Sequence, residues 1–140
     1  MKVLACCDGS DVGKHAVLIA RKYAKRFSAE LHVVTSLPRD RDVDLNYLSK
    51  QEEAKKMLSS IKDEAHQDDV NAVVSLLANE LTDGENLIQY ADEQGVDVIV
   101  IGVRKTSKVG KLLFGSTAQY VILNASCPVL SVKLGCKSGF

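Results

Sequence analysis

Short apolar runs alternate with helix-like stretches along the whole chain. The five runs have the length of single strands and cover residues 2–7, 30–35, 70–78, 96–101 and 129–133. Between them, apolar residues recur at three- and four-residue spacing, which is typical of amphipathic helices. Strands that are connected through helices pair in parallel, with right-handed crossovers. The pattern therefore predicts an α/β fold with a doubly wound open sheet of five parallel strands and helices on both faces.

Capping signals mark the ends of two of these helices. Thr82 and Glu85 have the spacing of a capping box, and Gly95 ends the helix that follows. Ser116 and Gln119 have the same spacing, and they predict a second capping box at the start of the last helix.

Length and composition limit the functions open to this chain. Its 140 residues predict a single domain over 1–140, with 134–140 as a short C-terminal tail. The formal net charge is zero and there is no tryptophan, which argues against a nucleic-acid partner. No apolar run approaches the roughly 18 residues of a membrane span, and the N-terminus lacks the pattern of a signal peptide. We therefore expect a cytoplasmic protein without a membrane partner.

Cysteine and histidine do not form a metal-binding pattern. Cys6, Cys7, Cys127 and Cys136 include no C-x-x-C pair, and the three histidines are scattered. We therefore expect no metal site, and we interpret most of these cysteines as small buried hydrophobes.

The segment after the fourth strand has the character of a phosphate-binding loop. Glycines lie near both of its ends, at Gly102 and Gly115, and four cations lie between them: Arg104, Lys105, Lys108 and Lys111. Ser116 then begins a helix, whose N-terminus presents unpaired N–H groups and a positive dipole end. This arrangement favours phosphate, although the segment matches neither the P-loop nor the G-x-G-x-x-G pattern.

A second polar turn, Asp8-Gly9-Ser10, follows the first strand. Ligands of open parallel sheets bind at the carboxyl ends of strands, where the strand order reverses. If strands one and four are neighbours, both loops face one crevice, and Asp8 is a natural acceptor for ribose hydroxyls. The alternative is that Asp8 or Ser10 caps the first helix.

Signs of catalysis are weak in this sequence. It has no G-x-S-x-G nucleophile elbow and no evident general base. Residues 77–79, at the end of the third strand, contain no aspartate, which disfavours a phosphoacceptor receiver domain. We therefore predict a protein that is not an enzyme, with weak ATP hydrolysis as a minor alternative.

Taken together, these residues resemble the universal stress protein family. The resemblance rests on Asp8-Gly9-Ser10, on Leu31-His32-Val33-Val34, on residues 95–102 (GVDVIVIG), on Gly115-Ser116 and on residues 127–130 (CPVL). It implies the strand order 3-2-1-4-5, which makes strands one and four neighbours. Nucleotide-binding members share the pattern G-x2-G-x9-G-[ST], in which Gly102, Gly115 and Ser116 match and Lys105 replaces the second glycine.

The resemblance also implies a role for each matching residue in holding ATP or AMP, with Mg or Mn as the accompanying cation. Asp8 would bind the ribose, the Val33 backbone would read the adenine edge, and Cys6 would lie near the base. Gly102 and Arg104 would line the ribose and the first phosphate. Gly115, Ser116 and Thr117 would donate to the phosphates. Lys105 departs from the family pattern, and its own charge would favour phosphate at this position.

Two functions from different classes follow from this resemblance. The first is a nucleotide-binding module in stress response or signalling, which forms a homodimer through the last strand, from Val129 to Lys133. The second is a dimeric interaction protein of the same fold that binds an unknown protein partner and no nucleotide. In the second case Lys105 disables the site, because a glycine there permits close backbone approach and a lysine does not.

Overall fold

Strands and helices alternate strictly in the structure, a computed structural model that describes residues 1–39, 44–104 and 115–139. The elements are β1 (Lys2–Cys6), α1 (Asp11–Arg26), β2 (Glu30–Ser36), α2 (Leu45–Gln67), β3 (Ala72–Leu77), α3 (Asp83–Gln94), β4 (Val98–Gly102), α4 (Ser116–Asn124) and β5 (Val129–Val132). Each predicted strand is present, and its ends differ from the prediction by at most two residues.

The strands form one parallel sheet in the order β3-β2-β1-β4-β5. The order implied by the family resemblance is therefore confirmed. β1 is central, and Ala5 pairs with Val33 of β2 on one side and with Val100 of β4 on the other. The chain moves outward in one direction through β2 and β3 and in the other direction through β4 and β5. This reversal brings the carboxyl ends of β1 and β4 together.

Both faces of the sheet are buried, as a doubly wound fold requires. Val3 and Ala5 point into a core that the helices α1 and α2 complete. Leu4, the residue between them, points into a second core that α3 and α4 complete. All three side chains are fully buried, so β1 is apolar from Val3 to Cys6 instead of alternating with polar residues.

Capping explains where the helices begin and end. Thr82 caps α3 by accepting a hydrogen bond from the Glu85 N–H at 3.3 Å, and Gly95 ends the helix with a φ of 64°. The capping box predicted at Ser116 and Gln119 is wrong. Gly115 takes the extended N-cap conformation, so α4 begins one residue earlier than that box requires, and no side chain in the described part of the chain caps it.

The described residues contain no helix that is both long enough and apolar enough to cross a membrane.

Candidate functional site

A cleft of about 430 Å³ lies at the carboxyl edge of the sheet, where the ends of β1 and β4 meet. Seven of the nine residues that were predicted for the site line this cleft: Cys6, Asp8, Gly102, Arg104, Gly115, Ser116 and Thr117. The tertiary structure therefore assembles one site from three separate parts of the chain, at the place where open α/β sheets bind ligands.

The β1 side of the cleft is organised by hydrogen bonds among its own residues. Oδ1 of Asp8 accepts from the Ser10 N–H at 3.0 Å and also from the Ser10 hydroxyl. The Ser10 Oγ in turn accepts from the Gly13 N–H at 3.1 Å and so caps α1. Ser10 is therefore the helix cap, and Asp8 orients Ser10 through one carboxylate oxygen.

The other oxygen of Asp8 faces the β4 side of the cleft. Its Oδ2 lies 3.8 Å from Nη2 of Arg104, and the two side chains are 57% and 70% exposed. An ion pair this long and this exposed adds little to stability. Both groups are therefore positioned to contact a ligand in the cleft.

Gly13 leaves room for the Asp8 carboxylate. A Cβ at this position would lie 2.5 Å from Oδ1 of Asp8, which is closer than atoms in contact can be. A glycine in the first turn of α1 costs helix stability relative to alanine. Here it allows the carboxylate to lie over the helix.

The α4 side of the cleft is formed by Gly115, Ser116 and Thr117. It presents the N-terminus of α4, at which the first N–H groups lack intrahelical partners. A Cβ at Gly115 would have no described atom within 4 Å, and its φ of −60° suits any residue. Neither the backbone nor the neighbouring described residues therefore require a glycine at this position.

Gly102 differs from Gly115 in this respect. A Cβ at Gly102 would lie 3.0 Å from the Val12 carbonyl oxygen and 3.1 Å from Val12 Cγ2. The end of β4 thus packs closely against the start of α1, and this packing alone accounts for the glycine.

Cys6 lies in the cleft between two carboxylates. Burial is the main cause that raises the pKa of its thiol to about 12, and the negative charges of Asp8 and Asp83 raise it further. The thiol is therefore protonated at neutral pH, so it can contact a base but is a poor nucleophile and a poor metal ligand.

Two predicted residues are not placed in the cleft. Val33 lies inside β2, and its fully buried side chain packs in the core on the α1 and α2 side. Lys105, like the loop cations Lys108 and Lys111, lies outside the described residues. Across the described residues, no three His, Cys, Asp or Glu side chains are grouped so that they could hold a metal ion.

Among the polar side chains that line the cleft, the sequence reasoning missed Ser36 and Asp83. Ser36 is the last residue of β2, so a search of all strand ends would have found it. Asp83 directly follows the Thr82 cap, and in the sequence it has the pattern of an ordinary acidic residue in the first turn of a helix.

Comparison with known proteins identifies the family to which this fold and cleft belong. Residues 1–133 match the model of the family described as the universal stress protein family. The chain belongs to the universal stress protein family. The universal stress protein MJ0531 of Methanocaldococcus jannaschii is 31% identical to it, with 94% of this chain and 81% of the relative covered.

Solved structures of universal stress proteins superpose on the chain closely. One from Archaeoglobus fulgidus has a TM-score of 0.81 at 31% identity and covers 95% of this chain and 98% of its own. Another from the same organism, solved in complex with dAMP, has a TM-score of 0.75 at 25% identity, with the same coverage. The predicted family and fold are therefore both confirmed.

Proposed function

We propose that this chain is an adenine-nucleotide-binding module of stress response or signalling, with ATP held between the β1 and β4 loops. The observation that supports this most is that the Asp8 carboxylate and the N-terminus of α4 line the same cleft. A carboxylate accepts hydrogen bonds from ribose hydroxyls, and a helix N-terminus with unpaired N–H groups attracts phosphate. The dAMP bound to the Archaeoglobus fulgidus relative supports the same class of ligand.

The cleft suggests how the nucleotide is oriented. We place the base against Cys6 and Ser36, at the ends of β1 and β2, and the ribose at Asp8. The phosphates lie between Arg104 and the turn formed by Gly115, Ser116 and Thr117, with Gly102 below them and Lys105 as a further donor. The contact of the Val33 backbone with the adenine edge stays a prediction, because the burial of its side chain on the α1 and α2 side of the sheet concerns the side chain alone.

Binding, not turnover, is the proposed activity. A Mg or Mn ion would enter with the phosphates, because the described residues do not supply a cation site of their own. Nucleotide would then act as a conformational ligand in a cytoplasmic homodimer. We place the dimer contact on the last strand, from Val129 to Lys133, because β5 is an edge strand and an unpaired edge can pair with a second copy.

The test is a graded substitution at Gly115. We expect excess Mg–ATP, but not Mg–GTP, to raise the unfolding midpoint of the wild type by roughly 5–15 °C, as about 2.7 kcal/mol of stabilisation does in a domain of this size. Gly115→Ala should keep most of this shift, and Gly115→Leu should abolish it by filling the phosphate site. Because no described atom lies within 4 Å of a Cβ at Gly115, both variants should unfold without nucleotide near the wild-type temperature.

A wild type that shows no shift at millimolar ATP would contradict the proposal. Lys105→Gly then separates the remaining possibilities, because it restores the second glycine of the family pattern. Binding that appears only in this variant would identify the natural chain as an interaction protein whose site Lys105 disables.

A further inference from the structure

Three polar side chains form a hydrogen-bonded chain from the loop before α3 to the inner end of the cleft. Nδ2 of Asn79 donates to Oδ1 of Asn86 at 2.7 Å, and Nδ2 of Asn86 donates to Oγ of Ser36 at 2.9 Å. Asn86 belongs to α3 and is 2% exposed, whereas Ser36 is half-buried and lines the cleft at the end of β2. The chain therefore connects a buried amide to a hydroxyl in the cleft.

A backbone group at the outer end of this chain fixes the direction of every hydrogen bond in it. The Leu81 N–H can only donate, and it donates to Oδ1 of Asn79 at 2.9 Å. Asn79 must then present its NH2 group to Asn86, so Asn86 accepts with its oxygen and donates with its nitrogen to Ser36. The Ser36 oxygen is thus an acceptor toward Asn86, and its own hydrogen points elsewhere.

The hydrogen of the Ser36 hydroxyl has no acceptor among the described residues, where Asn86 is its one hydrogen-bond partner. Asp83 also lines the cleft, but its buried Oδ1 is without a partner, so Ser36 does not donate to it. A hydroxyl that a buried amide holds in one direction is prepared to donate to a ligand in the cleft.

The cleft is charged at its mouth and apolar at its inner wall. Asp8 and Arg104 lie at the mouth, with most of each side chain exposed. Ile101, on the inner wall, is 5% exposed. Ser36 lies at this wall, because its backbone N–H faces the thiol of Cys6, which packs on the same core as Ile101. The faces of a purine gain from burial, whereas phosphates keep their charge at the exposed mouth, so the base is the part that meets Ser36.

We propose that Ser36 donates its hydroxyl hydrogen to a ring nitrogen of the bound purine, and that Asn86 is the positioning residue that holds Ser36 in this direction. This inference rests on the proposed function and adds a recognition residue to its site. Asn86 does not line the cleft, so it acts through Ser36. A donor fixed at the inner wall orients the base, because ring nitrogens accept hydrogen bonds and the C–H and amino groups beside them do not.

The test compares ATP with its 1-deaza, 3-deaza and 7-deaza analogues, each of which has a C–H group in place of one ring nitrogen. Affinities are measured by calorimetry. We expect the wild type to bind one of the three about 5- to 30-fold more weakly than ATP, because the Ser36 donor then faces a C–H group. In Ser36→Ala this deficit should fall to about twofold or less, because the donor has been removed.

Asn86→Asp tests the positioning role while Ser36 stays in place. At pH 8 the new carboxylate accepts from both Asn79 and Ser36, so the Ser36 hydrogen turns toward position 86 and away from the base. The deficit of the same analogue should then fall as it does in Ser36→Ala. Asn79→Ala is the milder variant, because it frees the Asn86 amide to turn, and it should lower the deficit in part. A merely structural role would weaken ATP and its analogues alike, so the ratio of their affinities is the deciding readout.

Ser75 provides the matched control. It is a half-buried serine of the neighbouring strand β3, and it does not line the cleft. Ser75→Ala should therefore keep the full deficit of the wild type. A deficit that survives in Ser36→Ala, or a wild type that binds all three analogues as well as ATP, would overturn the role of Ser36 alone.

A full deficit in both asparagine variants would overturn the positioning role of Asn86. A wild type that does not bind ATP would overturn the proposed function as well.

Discussion

The two sides of the cleft differ in how much of their structure the fold explains. On the β1 side, the Asp8 carboxylate accepts from Ser10, Ser10 caps α1 through the Gly13 N–H, and Gly13 leaves room for the carboxylate. On the α4 side, no described atom lies within 4 Å of a Cβ at Gly115, and no described side chain caps the helix that follows. On the β1 side the fold uses Oδ1 of Asp8 and leaves Oδ2 facing the cleft, whereas on the α4 side no described side chain caps the helix N-terminus.

The two matching glycines of the family pattern show the same difference. Gly102 is required by the close approach of Val12, whether or not a nucleotide is bound. Gly115 has no comparable neighbour among the described residues. The match at Gly102 is explained by packing, so it says little about ligand binding. The match at Gly115 has no such explanation among the described residues and therefore supports phosphate binding more strongly.

The largest expected effect concerns the reactivity of Cys6 on the β1 side of the cleft. Burial and two nearby carboxylates raise the pKa of its thiol. A rise in pKa from 9.0 to about 12 lowers the thiolate fraction at pH 8 by about a thousandfold. Alkylation of Cys6, followed by peptide mass mapping at pH 8, should therefore be slower in the folded protein than in urea by about that factor. The exposed Cys136 should react readily in both states, and equal rates at the two cysteines in the folded protein would contradict the prediction.

A stability measurement tests the difference between the two glycines. Gly102→Val should destabilise the protein by about 1–3 kcal/mol, the usual cost of forcing extra atoms into a packed contact. Gly115→Val should cost clearly less, because a Cβ there meets no described atom within 4 Å. Urea unfolding followed by circular dichroism measures both variants, and equal losses would remove the distinction between the two positions.

The smallest expected effect comes from giving α4 the cap that α1 already has. Gly115→Ser places a hydroxyl where Ser10 stands in α1, and serine exceeds glycine as an N-cap by a few tenths of a kcal/mol. We expect a slightly higher urea midpoint together with weaker ATP binding, because the new hydroxyl occupies an N–H group that phosphate would use. A variant that gains stability and keeps its full ATP affinity would show that phosphate does not use the start of α4.

Much of the local structure could be predicted from short-range patterns. Thr82 and Gly95 bound α3 as expected, because capping depends on residues within one turn of each other. The same rule failed at Ser116, where the extended backbone of Gly115 starts the helix one residue earlier. Spacing alone does not reveal which of two neighbouring residues takes the cap conformation.

The sequence alone was sufficient for the parallel α/β class, because alternating strands and helices leave few other arrangements. Its family resemblance added the strand order and seven of the residues that line the cleft. Only the tertiary structure showed that the Val33 side chain packs in the core on the α1 and α2 side and that Ser36 and Asp83 line the cleft. The physical reason is that strand register and helix packing decide which way a side chain points and which distant residues come close to it. These relations join residues far apart in the chain, and no local pattern records them.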